Sequence, residues 1–234
     1  MRHVIGLSGG KDSAALALRL AEIEPRGYEY ICNETGNELP EMQAHWRKLE
    51  TMLGNPLVRV RHCRTLTEEC LVQKMLPSSL NGRWCTRVMK IEPTIKYMSA
   101  LPAGSVLYVG LRADEEERQG LYGDDVTVRF PMREWGWTEK DVWAYLESRG
   151  VCIPARTDCA ICPNQRLGEW KNLRQQHPEL YLEGAILEQR IGATIRSPGR
   201  DTWPAGLMPL AAEFDSGRKL RNYKRQESCR VCSL

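Results

Sequence analysis

Over about its first 150 residues, the chain alternates short apolar runs with segments of helical periodicity. Five runs rich in β-branched residues predict strands, namely His3–Leu7, Tyr28–Asn33, Leu57–Arg61, Ser105–Leu111 and Val126–Phe130. Apolar positions at helical spacing predict helices between them, namely Ser13–Ile23, Pro40–Leu53, Thr86–Ala100 and Thr138–Arg149. Because strands that alternate with helices favour a parallel sheet covered on both faces, the pattern indicates an α/β fold.

The pattern changes after Gly150. The strand pattern stops there, prolines and cysteines become frequent, and helices are predicted at 165–176, at 178–192 and, as a short stretch, near 207–214. We therefore expect residues 1–150 to form the main domain and residues 151–234 to form a small helical, cysteine-containing region that packs over its mouth.

The turn between the first predicted strand and the first predicted helix, Ser8–Ser13, has the sequence Ser-Gly-Gly-Lys-Asp-Ser. Two glycines let backbone N–H groups turn inward around an anion, and the following helix points its partially positive N-terminus at the same place. Ligands of parallel sheets bind beyond the carboxyl ends of the strands, where this turn lies. The turn is therefore predicted to bind phosphate, the alternative being an ordinary Gly-Gly turn with an exposed lysine.

The side chains of this turn suit the same chemistry. Lys11 adds a full positive charge, and Ser8 and Ser13 add hydroxyl donors. Asp12 is expected either to hold a magnesium ion or to cap the helix.

The turn resembles the PP-loop of the ATP pyrophosphatase and PAPS reductase superfamily, and it lacks the spacing of the P-loop. Three later segments resemble the PAPS reductase family in the expected order: Glu34–Gly36 followed by Pro40-Glu41, Gly110–Arg112, and the tryptophan-containing block Pro131–Leu146. The resemblance implies a Rossmann-like (HUP-type) sheet that binds ATP with Mg²⁺. It also implies an adenine-nucleotide site made of Ser8, Gly9, Gly10, Lys11, Asp12, Ser13, Glu34, Thr35, Gly36, Gly110 and Arg112, with Lys11, Asp12 and Arg112 as catalytic residues.

Two of these segments also have a plain physical interpretation. Gly110 permits a close backbone approach, and Arg112 offers a planar fork suited to phosphate or sulfate oxygens. The acids that follow, Asp114 and Glu115, are expected to be structural. The block Pro131–Leu146 has helical spacing and is expected to pack in the core.

Nine cysteines are many for a chain expected to be cytoplasmic, where structural disulfides do not persist. Two C-x-x-C pairs, Cys159 with Cys162 and Cys229 with Cys232, can each present two thiolates to one metal. The two pairs meet only if the C-terminus folds back. Zinc and a [4Fe–4S] cluster both suit thiolates, so the spacing leaves the metal open.

The resemblance favours the iron–sulfur cluster, with Cys85 or Cys152 as a further ligand. The segment around Cys85 is similar to the cluster-binding segment of APS reductases, but it has one cysteine where that segment has a pair, because position 84 is tryptophan. It is closer to the C-T-x-x-x-K-x-x-P form of sulfur-inserting relatives from DNA phosphorothioation systems and phages. Cys229 only loosely resembles the nucleophilic E-C-G tail of PAPS reductases. Cys32, Cys63 and Cys70 are expected to be incidental.

Charge and hydropathy narrow the function classes. The net charge of +3 is too small to indicate a nucleic-acid binder, and no apolar run approaches a membrane span. We expect a cytoplasmic protein without a signal peptide or membrane partner. Basic residues crowd the C-terminus, which is either a solvated tail or a contact to nucleic-acid phosphates. They are Arg218, Lys219, Arg221, Lys224, Arg225 and Arg230.

Three functions follow as hypotheses. The first is an ATP pyrophosphatase that adenylates a nucleic acid or nucleotide and then inserts sulfur from a donor such as a cysteine desulfurase. The second is a PAPS or APS reductase, in which Cys229 attacks a sulfonucleotide held near Arg112. The third is a nucleotide-binding partner without catalysis, which the intact Lys11 and Asp12 disfavour.

Overall fold

The computed structural model describes residues 1–78, 83–118 and 122–220. Its centre is a five-stranded sheet in the order β3-β2-β1-β4-β5, and all neighbouring strands are parallel. The strands are β1 His3–Gly6, β2 Tyr28–Glu34, β3 Leu57–Arg61, β4 Val106–Tyr108 and β5 Thr127–Arg129. The predicted α/β fold with a parallel sheet is confirmed.

The helices of the described residues follow the sequence pattern with two differences. They are α1 Lys11–Ile23, α2 Pro40–Leu53, α3 Leu66–Gln73, α4 Trp84–Thr86, α5 Glu92–Ser99, α6 Pro131–Glu134, α7 Glu139–Ser148, α8 Leu167–Gln176, α9 Pro178–Ile191 and α10 Leu207–Asp215. Helix α3 was not predicted, although its capping box of Thr65 and Glu68 is a sequence signal. The predicted helix Thr86–Ala100 is interrupted by a π-helical segment, Arg87–Ile91.

The strand order places the candidate site. β2 follows β1 in the chain and pairs on one side of it, whereas β4 follows β3 and pairs on the other side, so the strand order reverses at β1 and a crevice is expected at its carboxyl end. The Ser8–Ser13 turn follows β1, the Glu34–Gly36 turn ends β2, and Gly110–Arg112 follows β4. All three predicted nucleotide segments therefore lie at one edge of the sheet.

The described residues pack into three apolar clusters. Two of them lie on the sheet, and the third joins α8, α9 and α10 to α3 and to residues 84–89. The C-terminal helices therefore share a core with elements that precede Gly150, and a domain boundary there stays a prediction. In the part of the chain that is described, we find no helix with the length and apolar character needed to cross a bilayer.

Candidate nucleotide and thiol site

The Ser8–Ser13 turn is shaped by its own hydroxyl groups. The Oγ atoms of Ser8 and Ser13 lie 3.0 Å apart, the amide of Gly9 donates to Ser13 Oγ at 3.1 Å, and Ser13 Oγ donates to the carbonyl of Gly10 at 3.1 Å. The sequence had suggested that both serine hydroxyls are open donors. In the structure both side chains instead bond within the loop and hold its shape. Among the described residues, the amides of positions 11–13 have no backbone acceptor, which is the usual state of a first helical turn. These amides are the open anion donors.

Helix α2 supports this loop from the other side. The indole Nε1 of Trp46 donates to the carbonyl of Ser8 at 2.9 Å. Gly9 has φ +87°, and a Cβ there would lie 2.7 Å from Trp46 Nε1 and 2.8 Å from Met42 Cε. Only glycine therefore fits at position 9, because both the backbone conformation and the space exclude a side chain.

His45 is the second α2 residue that contacts the loop. It is 4% exposed. Burial lowers the pKa of His45 to about 4 from 6.5, and its hydrogen bond to the Gly9 backbone opposes that shift. His45 is therefore neutral at pH 7. No sequence signal pointed to this role, since a histidine on a helix has many possible surroundings.

We expect His45 to make folding stability depend on pH. The unfolded ring gains a proton near pH 6.5 and the folded ring only near pH 4, so stability falls as the pH drops through this window. Urea unfolding at pH 7.5 and pH 5 should show a loss of about 2 kcal/mol that His45→Asn removes. The same loss in His45→Asn would contradict the assignment.

Lys11, Asp12 and Arg112 form one charged group at the start of α1. Lys11 Nζ lies 2.9 Å from Asp12 Oδ2, and Arg112 Nη1 lies 3.0 Å from Asp12 Oδ1. The helix is capped by Gly10 without a side-chain bond, so the expectation that Asp12 caps it is wrong. Arg112 also donates from Nε to Asp114 at 2.8 Å. Its fork therefore faces carboxylates, and we assign Arg112 a role in positioning Asp12.

Two further residues fix this arrangement. A Cβ on Gly110 would lie 3.1 Å from the carbonyl carbon of Asp12 and 3.2 Å from the amide of Ser13, so this glycine allows the close approach expected of it. Arg133 Nη2 donates to the carbonyls of Glu115 and Arg118, each at 2.6 Å, and so holds the loop after Arg112. Sequence reasoning missed Arg133, which lies in the block interpreted as core packing.

The turn after β2 is closed by a carboxylate. Glu38 accepts hydrogen bonds from the Thr35 amide at 2.7 Å, the Thr35 hydroxyl at 2.6 Å and the Gly36 amide at 3.0 Å. Glu34 instead pairs with Arg61 on β3, so its carboxylate is engaged away from the turn. Gly36 has φ +73°, and a Cβ there would lie 2.6 Å from Thr65 Cγ2. Glu38 is thus the acid that shapes this turn.

The first C-x-x-C pair lies directly against this turn. Cys159 Sγ lies 3.3 Å from Thr35 Oγ1, and Cys159 forms an isolated antiparallel bridge with Glu38. Asn37, which is buried, accepts from the amide of Ala160 through its carbonyl at 2.8 Å and from the amide of Ile161 through Oδ1 at 3.0 Å. These hydrogen bonds join the turn after β2, residues 34–38, which we call the predicted nucleotide turn, to residues 159–162, which we call the thiol loop. The sequence did not indicate this contact.

Lys90 interacts electrostatically with three of the predicted metal-binding cysteines. Burial lowers its pKa, but the charges of Cys159, Glu38, Cys162 and Cys85 outweigh this effect and raise it. Burial in turn raises the pKa of the Cys162 thiol to about 12 and that of the Cys159 thiol as well. Lys90 lies in the π-helical segment. Sequence reasoning noted this lysine only as part of the motif around Cys85.

Three of the cysteines predicted to bind a metal, Cys85, Cys159 and Cys162, lie among the described residues. Within residues 1–78, 83–118 and 122–220, no three or more histidine, cysteine or acidic side chains are grouped closely enough to hold a metal ion. Cys229 and Cys232 lie outside the described residues, as does the tail from residue 221.

Just before that tail, Arg218 pairs with Glu213 at 3.1 Å and lies 4.2 Å from the ring centre of Trp203. Arg218 is therefore structural.

Comparison with known proteins identifies the family. Residues 2–155 match the model of the phosphoadenosine phosphosulfate reductase domain. The chain belongs to this family. It is thereby placed among nucleotide-binding enzymes of the PP-loop superfamily, as its motifs predicted.

Solved structures are also similar to the chain. The chain is similar to PAPS reductase from Candida auris in its phosphate complex, with a TM-score of 0.50, 14% identity, and coverage of 65% of this chain and 75% of that one. It also resembles a predicted tRNA methyltransferase subunit from Methanocaldococcus jannaschii, with a TM-score of 0.45, 15% identity, and coverage of 77% and 91%. No curated protein matches the chain.

Proposed function

We propose that this PAPS reductase family member is an ATP-dependent sulfurtransferase that adenylates an oxygen of a nucleic acid or nucleotide, releases pyrophosphate and then inserts sulfur. The observation that carries the proposal is the contact of Cys159 with Thr35, because it places a thiol loop on the nucleotide turn next to the phosphate loop. A phosphate site and a thiol site at one sheet edge suit a reaction that uses both.

The first turn of α1 would support the adenylation step. An acceptor oxygen attacks the α-phosphorus of ATP, a new P–O bond forms, and the bond to pyrophosphate breaks. The open amides 11–13 and Lys11 would bind the departing pyrophosphate and stabilise its negative charge. Magnesium, when bound at Asp12, neutralises further charge. Arg112 keeps the Asp12 carboxylate in place.

The sulfur step completes the reaction. The terminal sulfur of a persulfide, supplied by a donor such as a cysteine desulfurase, attacks the activated centre, a bond from sulfur to the acceptor forms, and AMP leaves with the oxygen. A second thiol then cleaves the S–S bond, forms a disulfide with the donor cysteine and leaves the sulfur on the acceptor. The basic tail would contact phosphates of a nucleic-acid acceptor. Lys90 lowers the pKa of the Cys159 thiol electrostatically, but burial of the thiol outweighs this effect and raises the pKa.

We further propose that Cys85, Cys159 and Cys162 contribute ligands to a [4Fe–4S] cluster, with zinc as the alternative. The support is the C-x-x-C spacing of Cys159 and Cys162, which can present two thiolates to one metal, whereas Cys85 is not grouped with them closely enough to hold a metal ion in the described residues. When bound, such a cluster supplies redox-active iron and sulfide. The remaining ligand would come from Cys229 or Cys232.

Iron content tests this set. Anaerobically purified protein should absorb near about 400 nm, and Cys85→Ser should lose most of that absorbance and of the bound iron. Cys63→Ser is the matched control, because Cys63 is an exposed cysteine outside the thiol group and its loss should leave iron unchanged. A colourless protein that contains zinc would overturn the cluster, and equal iron in both variants would overturn the role of Cys85.

A PAPS or APS reductase is the second candidate, favoured by the family match over residues 2–155. One assay separates the two. Labelled ATP with acceptor should yield pyrophosphate under our proposal, whereas PAPS or APS with thioredoxin should yield sulfite under the second. Sulfite release without pyrophosphate release would contradict the sulfurtransferase. Binding of both nucleotides without turnover would contradict both enzymes.

A further inference from the structure

A cavity of about 290 Å³ lies between α2, the 152–156 segment and the end of α8. Its lining includes His45 and Lys48 from α2, Arg156 from the segment, and His177 after α8. His45, which lines the cavity, also forms a hydrogen bond with the backbone of Gly9 in the Ser8–Ser13 turn. A single water occupies roughly 30 Å³, so the space suits a small organic ligand.

Two buried nitrogen atoms of this lining have no hydrogen-bond partner among the described residues. They are His45 Nε2 and Arg156 Nη1. The Arg156 side chain is 7% exposed, and its other donors are satisfied by Asp158 at 3.0 Å and by the carbonyl of Cys159 at 2.7 Å. Buried polar atoms in native proteins are nearly always paired, so these two indicate a missing partner.

The two unpaired nitrogen atoms, His45 Nε2 and Arg156 Nη1, require different hydrogen-bond partners. The neutral His45 ring bonds to the Gly9 backbone, and its Nε2 is the unpaired atom, so the bonded nitrogen is Nδ1, which carries the proton. Nε2 is then a hydrogen-bond acceptor, while Arg156 Nη1 is a cationic donor. The matching ligand carries a hydroxyl for His45 and an anionic oxygen for Arg156.

The charge of the cavity supports an anion. Lys48 is exposed at the lining and acts electrostatically on His45, so its ammonium group lies near the same space. The acid of the lining, Glu41, has its carboxylate 2.8 Å from His177 Nε2 and is thereby engaged. Arg156 shares its charge with Asp158 but keeps Nη1 as an unpaired donor, and Lys48 adds an exposed ammonium group, so both can donate to a phosphate.

We propose that this cavity binds a ribose phosphate, with a ribose hydroxyl donating to His45 Nε2 and the phosphate accepting from Arg156 and Lys48. Hydroxyl and phosphate occur side by side in free ribonucleotides and in RNA strands, and deoxyribose strands lack the hydroxyl. The site is separate from the open amides of α1 and does not depend on the proposed reaction. The ligand would contact His45, which forms a hydrogen bond with the backbone of Gly9.

The test uses the full chain saturated with a non-hydrolysable ATP analogue, so that the phosphate loop is occupied. Calorimetry with a uridine tetraribonucleotide should show binding at least about five-fold tighter than with its deoxyuridine counterpart, because one hydrogen bond is lost. Lys48→Ala should weaken tetraribonucleotide binding at least five-fold. Arg47→Ala, which removes a neighbouring exposed charge outside the lining, should change it less than two-fold.

Uridine monophosphate identifies the source of the ligand. Binding of the monophosphate as tight as that of the tetramer supports a free nucleotide, and tighter binding of the tetramer supports an RNA strand. Equal affinity for the RNA and DNA tetramers overturns the proposal, as does the absence of binding by any probe. An equal effect of Lys48→Ala and Arg47→Ala also overturns it, since the basic tail would then carry the binding. These binding measurements do not require ATP turnover, so failure of the proposed reaction would not change their interpretation.

Discussion

Replacing Lys11 by alanine should lower pyrophosphate release from ATP by at least about 100-fold while the fold stays intact. Lys11 carries the full positive charge next to the open amides of α1, and removal of one such charge-stabilising donor typically costs this much in rate. The measurement is the release of labelled pyrophosphate in the presence of acceptor, together with urea unfolding of the same variant.

Stability should change little in this variant. Asp12 keeps its bond to Arg112 when Lys11 is removed, so we expect a change of less than about 1 kcal/mol in the free energy of unfolding. Lys140→Ala is the matched control, because Lys140 is an exposed lysine of α7 that has no part in the loop. Full activity in Lys11→Ala, or an equal loss in Lys140→Ala, would show that the phosphate loop has been assigned wrongly.

Gly9→Ala should destabilise the protein by about 3 kcal/mol and abolish nucleotide binding. The left-handed backbone at φ +87° costs a non-glycine residue about 1 to 2 kcal/mol, and the new methyl group would collide with Trp46 Nε1 and Met42 Cε. Relief of that collision moves α2 and the loop apart, which disturbs the amides that face the phosphates. Urea unfolding and titration with ATP measure the two effects.

Gly54→Ala separates strain from collision. Gly54 ends α2 at φ +65°, and a Cβ there would meet nothing within 4 Å, so this variant carries the backbone cost alone, about 1 kcal/mol. Its nucleotide affinity should equal that of the unchanged protein. If both variants lost the same stability, the packing of Trp46 and Met42 against the loop would not be what requires glycine at position 9.

Local pattern was enough to predict the strand, turn and helix around Ser8–Ser13. Apolar runs, paired glycines and helical periodicity act over a few residues, so the alternation that defines the parallel sheet is visible along the chain. The same locality explains one partial error. The predicted helix Thr86–Ala100 contains a π-helical segment at Arg87–Ile91, which periodicity cannot distinguish from α-helix.

Side-chain partners were harder to predict. The sequence favoured Arg112 as a phosphate ligand, whereas the folded chain surrounds it with Asp12 and Asp114. Glu34 was taken as a nucleotide residue and pairs with Arg61. Glu38, which holds the turn together, was not singled out. A charged residue in a motif has several chemically equivalent partners, and only the path of the chain selects among them.

The sequence by itself determined the α/β class, the glycine-rich Ser8–Ser13 turn at the end of β1 and the C-x-x-C pair at Cys159, because each depends on residues close together in the chain. The tertiary structure alone decided that Cys159 contacts Thr35, that Lys90 interacts electrostatically with three thiols, and that His45 and Arg156 line one cavity. These contacts join residues far apart in sequence, brought together by the parallel sheet and its crossovers, and no local periodicity encodes them.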